Sequence, residues 1–179
     1  MARLHLLMSD ESTKSPPIVA IVGKSGSGKT TFLEKLIPEL KRRGYRVGTI
    51  KHHHQHHADI DHEGKDSWRH TQAGADATAL SSPKRVALVK QLVVEMTPEE
   101  MRRQFFRDVD VVLAEGYKGS ALPKIEIFRS DAHEAPVCLN DPLMVALVSD
   151  RQDQGQVACF GLDDVGPLAD FLEAHGFFA

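Results

Sequence analysis

A chain of 179 residues can build one α/β domain with a real core and is too short for two ordinary domains. The formal net charge of −3 and sequence pI near 6.4 leave no general attraction to nucleic acid or anionic lipid, so neither partner class is expected. No apolar run is long enough to span a membrane, the leading residues are too polar for a signal peptide, and Cys138 and Cys159 lack C-x-x-C spacing. The expectation is a cytoplasmic protein with reduced core thiols.

Residues 1–16, which lead through Ser and Thr to Pro16, read as a flexible tail ahead of a single domain over residues 17–179. Ile18 to Val22 is a continuous apolar run, the pattern of a strand buried on both faces of a parallel sheet. Gly23-Lys24-Ser25-Gly26-Ser27-Gly28-Lys29-Thr30 comes directly after it and fits G-x-x-x-x-G-K-[ST], the Walker A phosphate-binding loop, in its required place between strand and helix. Small residues and glycines let the backbone curl so that successive N–H groups point at phosphate oxygens, and the next helix adds its positive end. Lys29 would reach the β/γ-phosphates and Thr30 would ligate Mg²⁺.

The helix from near Lys29 sets Phe32, Leu33, Leu36, Ile37 and Leu40 on one face, carries Pro38 as an expected kink, and ends at Lys41-Arg42-Arg43 with Gly44 as its cap. Tyr45 to Ile50 reads as a second strand, joined to the first by a right-handed parallel crossover. The next stretch is a polar loop, holding six of the ten histidines between His52 and His62 together with Asp59 and Asp61. A short helix over residues 65–73 comes next. Ala77 to Ser81 and Arg85 to Leu92 flank Ser82-Pro83-Lys84 and predict an antiparallel hairpin at one end of the sheet. Thr97-Pro98-Glu99-Glu100 starts a helix that runs to about Arg107. Strands are expected over Val109 to Ala114, Ile125 to Phe128, Met144 to Val148 and Val157 to Phe160, with an irregular excursion from Asp131 to Asp141. An amphipathic helix, Asp164 to Ala174, closes the chain. The fold class is α/β, a three-layer P-loop NTPase fold with a mostly parallel twisted sheet.

Ligands of open α/β sheets bind at the C-terminal strand ends. Those ends deliver the phosphate loop, then Lys51-His52, then Glu115, then Ser149-Asp150. Glu115 is the choice for the second Mg²⁺ acid, because Asp110 lies at the wrong end of its strand. The His-rich loop has two readings: capture of Ni²⁺, Zn²⁺ or Cu²⁺ by pairs such as His52/His54 or His53/His57, and a solvated loop without a metal role. The second is preferred because no fixed ligand pattern is visible. Asp59 and Asp61 are candidates to support Mg²⁺ or its water shell. Lys65 and Arg69 share a helix face that fits either an anionic substrate or solvent.

Taken together, GKSGSGKTTFLEKLIPEL, IKHHHQHHADIDHEGKDSWRHTQAGA and DVVLAEGYKGSALPKIEIFR resemble the molybdopterin-guanine dinucleotide biosynthesis protein B family, MobB, from about Ile18 to Asp150. The resemblance implies a GTP-binding, weakly GTP-hydrolysing, Mg²⁺-dependent homodimer. Such a protein assists the guanylyltransferase MobA in attaching GMP to molybdopterin, with molybdopterin or its protein carriers as further partners. By position, Gly26, Gly28, Lys29, Thr30 and Thr31 would hold phosphates and Mg²⁺, and Gly23, Ser25 and Ser27 of the same loop are further cofactor-binding candidates. Glu115 would take the Walker B place and, with Lys29, serve catalysis. Lys51, His52, Asp61, Lys65, Asp66, Lys118 and Lys124 fall in the family's characteristic segments. The N-K-x-D element that many GTPases use to read guanine is missing, and Asp150 is the candidate replacement. Two other functions fit parts of the pattern: a nickel-delivery GTPase, from the His-rich loop, and a small-molecule kinase, from the phosphate loop and its acid.

Overall fold

The computed structural model describes residues 15–53, 61–151 and 157–178. Most of the expected tail, and His54, His56, His57 and Asp59 of the His-rich loop, lie outside the described residues. In chain order the elements are β1 (Ile18–Val22), α1 (Lys29–Arg42), β2 (Val47–Lys51), α2 (Asp66–Gln72), β3 (Ala77–Ser82) and β4 (Arg85–Lys90). Then come α3 (Pro98–Phe105), β5 (Val111–Glu115), β6 (Lys124–Phe128), β7 (Met144–Ser149), β8 (Ala158–Phe160) and α4 (Val165–Ala174). They form two compact units, residues 1–52 with 98–179, and residues 53–97.

The larger unit is a parallel sheet in the order β2-β5-β1-β6-β7-β8. β1 lies inside it and is buried at every position, which is why its sequence is apolar without alternation. Its side chains still alternate in direction. Val19 and Ile21 join Phe32, Leu33, Leu36 and Leu40 of α1 and Leu168, Ala169 and Leu172 of α4 in the core on one face. Ile18, Ala20 and Val22 join Ile50, Val112 and Ala114 on the other, where Met101 of α3 and Phe106 just after it pack. Helices on both faces make the three layers expected from the sequence.

The boundaries of β2 and β5 shift for local reasons. α1 runs through Pro38 and closes on Gly44, whose φ of 95° is left-handed. Gly44 N–H donates to Lys41 O and Tyr45 N–H to Leu40 O, the paired bonds of a Schellman cap. That second bond holds Tyr45 in the helix end, where its ring meets Phe178 at 5.1 Å, so β2 starts at Val47. At its other end β2 gains Lys51, and β5 gains Glu115, because these two residues pair in register.

The smaller unit holds α2 and the predicted hairpin. β3 and β4 pair antiparallel from Ala77↔Lys90 to Ser82↔Arg85, in a two-stranded sheet of their own.

Candidate phosphate-binding site

Residues 23–30 link the end of β1 to the start of α1, and glycine is required at three points. Gly23, Gly26 and Gly28 have φ of 138°, 77° and 90°. A Cβ on Gly23 would also stand 2.4 Å from the Ile127 carbonyl oxygen and 2.7 Å from Ser27 Oγ. Gly28 is the N-cap of α1 and provides no side-chain cap, and the first turn holds no acidic residue. The helix therefore presents free N–H groups and an uncompensated positive end, the condition for binding an anion. Ser27 is fully buried, and its Oγ has no hydrogen-bond partner among the described residues.

Lys29 folds back over the loop, Nζ donating to Gly23 O at 3.0 Å and Lys24 O at 2.8 Å. Burial pushes its ammonium below the ordinary lysine value, Glu115 opposes that shift and Lys51 adds to it. Thr30 Oγ1 donates to Glu115 at 3.1 and 3.3 Å, and Lys51 Nζ lies 3.6 Å from Glu115 Oε1. The sheet register explains the meeting, since Glu115 is opposite Lys51 on one side and Ile21 on the other. Thr30 and Glu115 offer hard oxygens of the kind Mg²⁺ takes beside phosphate oxygens and water.

Behind Glu115 the chain turns sharply. Gly116 N–H donates to Ile21 O at 2.9 Å, and Gly116 and Tyr117 are both left-handed, with φ of 97° and 56°. A Cβ on Gly116 would stand 3.1 Å from His52 Cβ. His52 N–H donates to Glu115 O at 3.0 Å, and its ring lies 4.6 Å from that of Tyr117. His52 thus holds the turn that aims the acid.

Residues 18–150 match the profile of the family described as molybdopterin guanine dinucleotide synthesis protein B, MobB. The chain belongs to this family. It is similar to the molybdopterin-guanine dinucleotide biosynthesis adapter proteins of Escherichia coli, 40% identical over 87% of this chain and 91% of the relative, and of Haemophilus influenzae, 37% identical over 88% of each. The crystal structure of Bacillus subtilis MobB superposes with a TM-score of 0.70 at 30% identity, covering 91% of this chain and 98% of the other.

Several MobB-family segment residues have structural partners here. Lys124 is 1% exposed, and its Nζ donates to Ser120 O and Leu122 O and pairs with Asp141 at 2.9 Å, fixing the loop after the Glu115 turn. Asp150 sits just past β7 and accepts from Ser130 N–H at 2.9 Å and Ser130 Oγ at 2.9 Å. The backbone bond holds its carboxyl below the ordinary value. Lys118, Ser25 and Thr31 are exposed. Within the smaller unit, Asp61 Oδ1 accepts from His62 N–H and Ser67 Oγ, Lys65 is the N-cap of α2, and Asp66 lies 3.7 Å from Arg69. Among the described residues no group of three or more His, Cys, Asp or Glu side chains is placed to hold a metal. Asp110 sits ahead of β5 and pairs with Arg46 at 2.7 Å, away from the loop.

Two residues at the loop have no role assigned from the sequence, although Arg129 closes the segment DVVLAEGYKGSALPKIEIFR. Arg129 has its Cδ 3.6 Å from the position of a Cβ on Gly28, and His133 Nε2 lies 2.8 Å from Ser25 O. The strand-end rule, extended to Ile125–Phe128, would have found Arg129. His133 leaves no periodic or motif signal.

Proposed function

We propose that this chain binds GTP with Mg²⁺ at residues 23–30, hydrolyses it weakly, and acts as a homodimeric accessory protein of the guanylyltransferase MobA in molybdopterin guanine dinucleotide synthesis. The observation that carries the nucleotide part is the Thr30–Glu115 contact, which sets an acid from β5 against the loop hydroxyl. Thr30 and Glu115 would hold Mg²⁺, which neutralises charge on the transferring phosphate. Lys29 exchanges its two carbonyl partners for phosphate oxygens, and the loop N–H groups fix the phosphate chain. Slow hydrolysis then needs only positioning and charge stabilisation. Asp150, held by Ser130, keeps lone pairs for the N–H groups of guanine. Lys51 and His52 support Glu115. The accessory role rests on family membership and on the adapter names of the relatives.

The homodimer reading is supported by the hairpin, which exposes Leu80, Val86 and Leu88, with Leu92, Val93 and Val94 just beyond it. A two-stranded hairpin is marginal alone and gains from a covering partner. Titration of GTP and ATP into wild type and Lys29→Ala tests the nucleotide reading. GTP preference with loss in the variant is expected, and clear ATP preference would overturn it. Co-purification with molybdopterin guanylyltransferase, with and without GTP and Mg²⁺, tests the partner.

A further inference from the structure

Strand β6 delivers a charged group to the phosphate loop from the side that Glu115 does not occupy. β1, which carries the loop, has β5 on one side and β6 on the other. β5 brings Glu115, and the residue after β6 is Arg129. Its stem lies against Gly28, with Cδ 3.6 Å from the position a Cβ would take there. Its Nε is buried with no hydrogen-bond partner among the described residues, and a buried N–H without an acceptor is costly. Its Nη2 donates to Asp131 at 2.7 Å, an ion pair in which the side chains are 43% and 61% exposed. Such a pair is weak in water, so a phosphate can displace it at small cost.

The segment is also tied to the loop. Ala132 and His133 N–H both donate to Arg129 O, making a tight turn, and His133 Nε2 donates to Ser25 O at 2.8 Å. A carbonyl only accepts, so the proton of that bond is on Nε2. The turn therefore holds Arg129 over the loop.

We propose that Arg129 contacts the phosphate chain of the bound nucleotide, turning from Asp131 to phosphate oxygens on the side of the loop away from Glu115 and Mg²⁺. This rests on nucleotide binding at residues 23–30, as proposed for the function. The guanidinium fork suits two phosphate oxygens at once, which the single ammonium of Lys29 does not.

Calorimetric titration of the full chain with GDP and GTP compares Arg129→Met, which keeps the stem and loses the charge, with Arg129→Lys, which keeps the charge and loses the fork. Loss of a charge-assisted hydrogen bond predicts about tenfold weaker binding of both nucleotides by Arg129→Met, with only part of it recovered in Arg129→Lys, which restores the charge without the fork. Thermal melts without nucleotide confirm that both variants fold. Wild-type affinity in Arg129→Met would overturn the proposal, and so would equal weakening by both variants, because the positive charge would then contribute nothing to binding. If wild type prefers ATP, the guanine reading alone falls and the same series with ADP and ATP decides Arg129. If wild type binds no nucleotide, both fall.

Discussion

Gly23 and Gly44 show how one conformational demand takes two values. Both have positive φ, but only Gly23 also lacks space, since a Cβ there meets the Ile127 carbonyl at 2.4 Å while Gly44 faces nothing within 4 Å. Gly44→Ala should cost about 1 kcal/mol in urea denaturation, from the backbone conformation alone. Gly23→Ala should cost clearly more and abolish nucleotide binding, because either β6 or the loop must move. Glu115 allows a sharper test of charge. Glu115→Gln keeps the shape but weakens the metal site, so the gain in GTP affinity on adding Mg²⁺ should shrink about tenfold or more. In EDTA the same variant should bind GTP at least as tightly as wild type, since a carboxylate facing phosphate has been removed. Unaltered Mg²⁺ dependence would remove Glu115 from the site.

Elements are joined by ion pairs at the ends remote from the loop. Arg43, at the end of α1, pairs with Glu39 on its own helix and with Asp170 and Glu173 on α4, and donates to Gly166 O. Arg46, ahead of β2, pairs with Asp110, ahead of β5, and holds the Asp110 carboxyl at about 2, below its ordinary 3.8. A depressed carboxylate contributes stability that is full above the unfolded value and is lost as pH falls through the folded one. The Asp110 contribution is therefore expected to disappear between about pH 4 and pH 2. Wild type should lose more stability than Arg46→Ala on acidification through this window, read from urea midpoints. Asp110→Asn should lower stability at neutral pH and leave GTP affinity unchanged, which separates this acid from Glu115. Beneath these contacts, the apolar face of α1 supplies the larger energy. Leu36 is fully buried, and Leu36→Ala should cost about 2–5 kcal/mol.

At the scale of the whole molecule, the larger unit carries the candidate phosphate site and the smaller one exposes apolar residues. In the hairpin register Leu88 is opposite Ala79 and Val86 opposite Ser81, so these side chains share one face, while Leu80 and Ala87 share the other. Val86→Lys with Leu88→Lys should shift the chain from dimer to monomer in light scattering, without loss of the larger unit's nucleotide site. A monomeric wild type at high concentration would exclude the dimer. No helix among the described residues is long and apolar enough to cross a membrane.

Features set by local chemistry and periodicity were legible before folding. The glycine spacing of residues 23–30 specifies a loop only glycines can form, and unbroken apolar runs such as Ile18 to Val22 specify strands buried on both faces. The apolar stripe of α1 and the Ser82-Pro83-Lys84 turn were equally plain, and the linked motifs carried the family. Features that depend on register and on partners distant in sequence emerge only in the folded chain. Folding paired Lys51 with Glu115, separated the buried Lys124 and its Asp141 partner from the exposed Lys118, and set Asp150 on Ser130. It also brought Arg129 and His133 to the phosphate loop, about 100 residues from Ser25 and Gly28 along the chain, because β6 lies beside β1. Composition and periodicity cannot encode that neighbour relation, since strand order is fixed only when the whole sheet closes over its core.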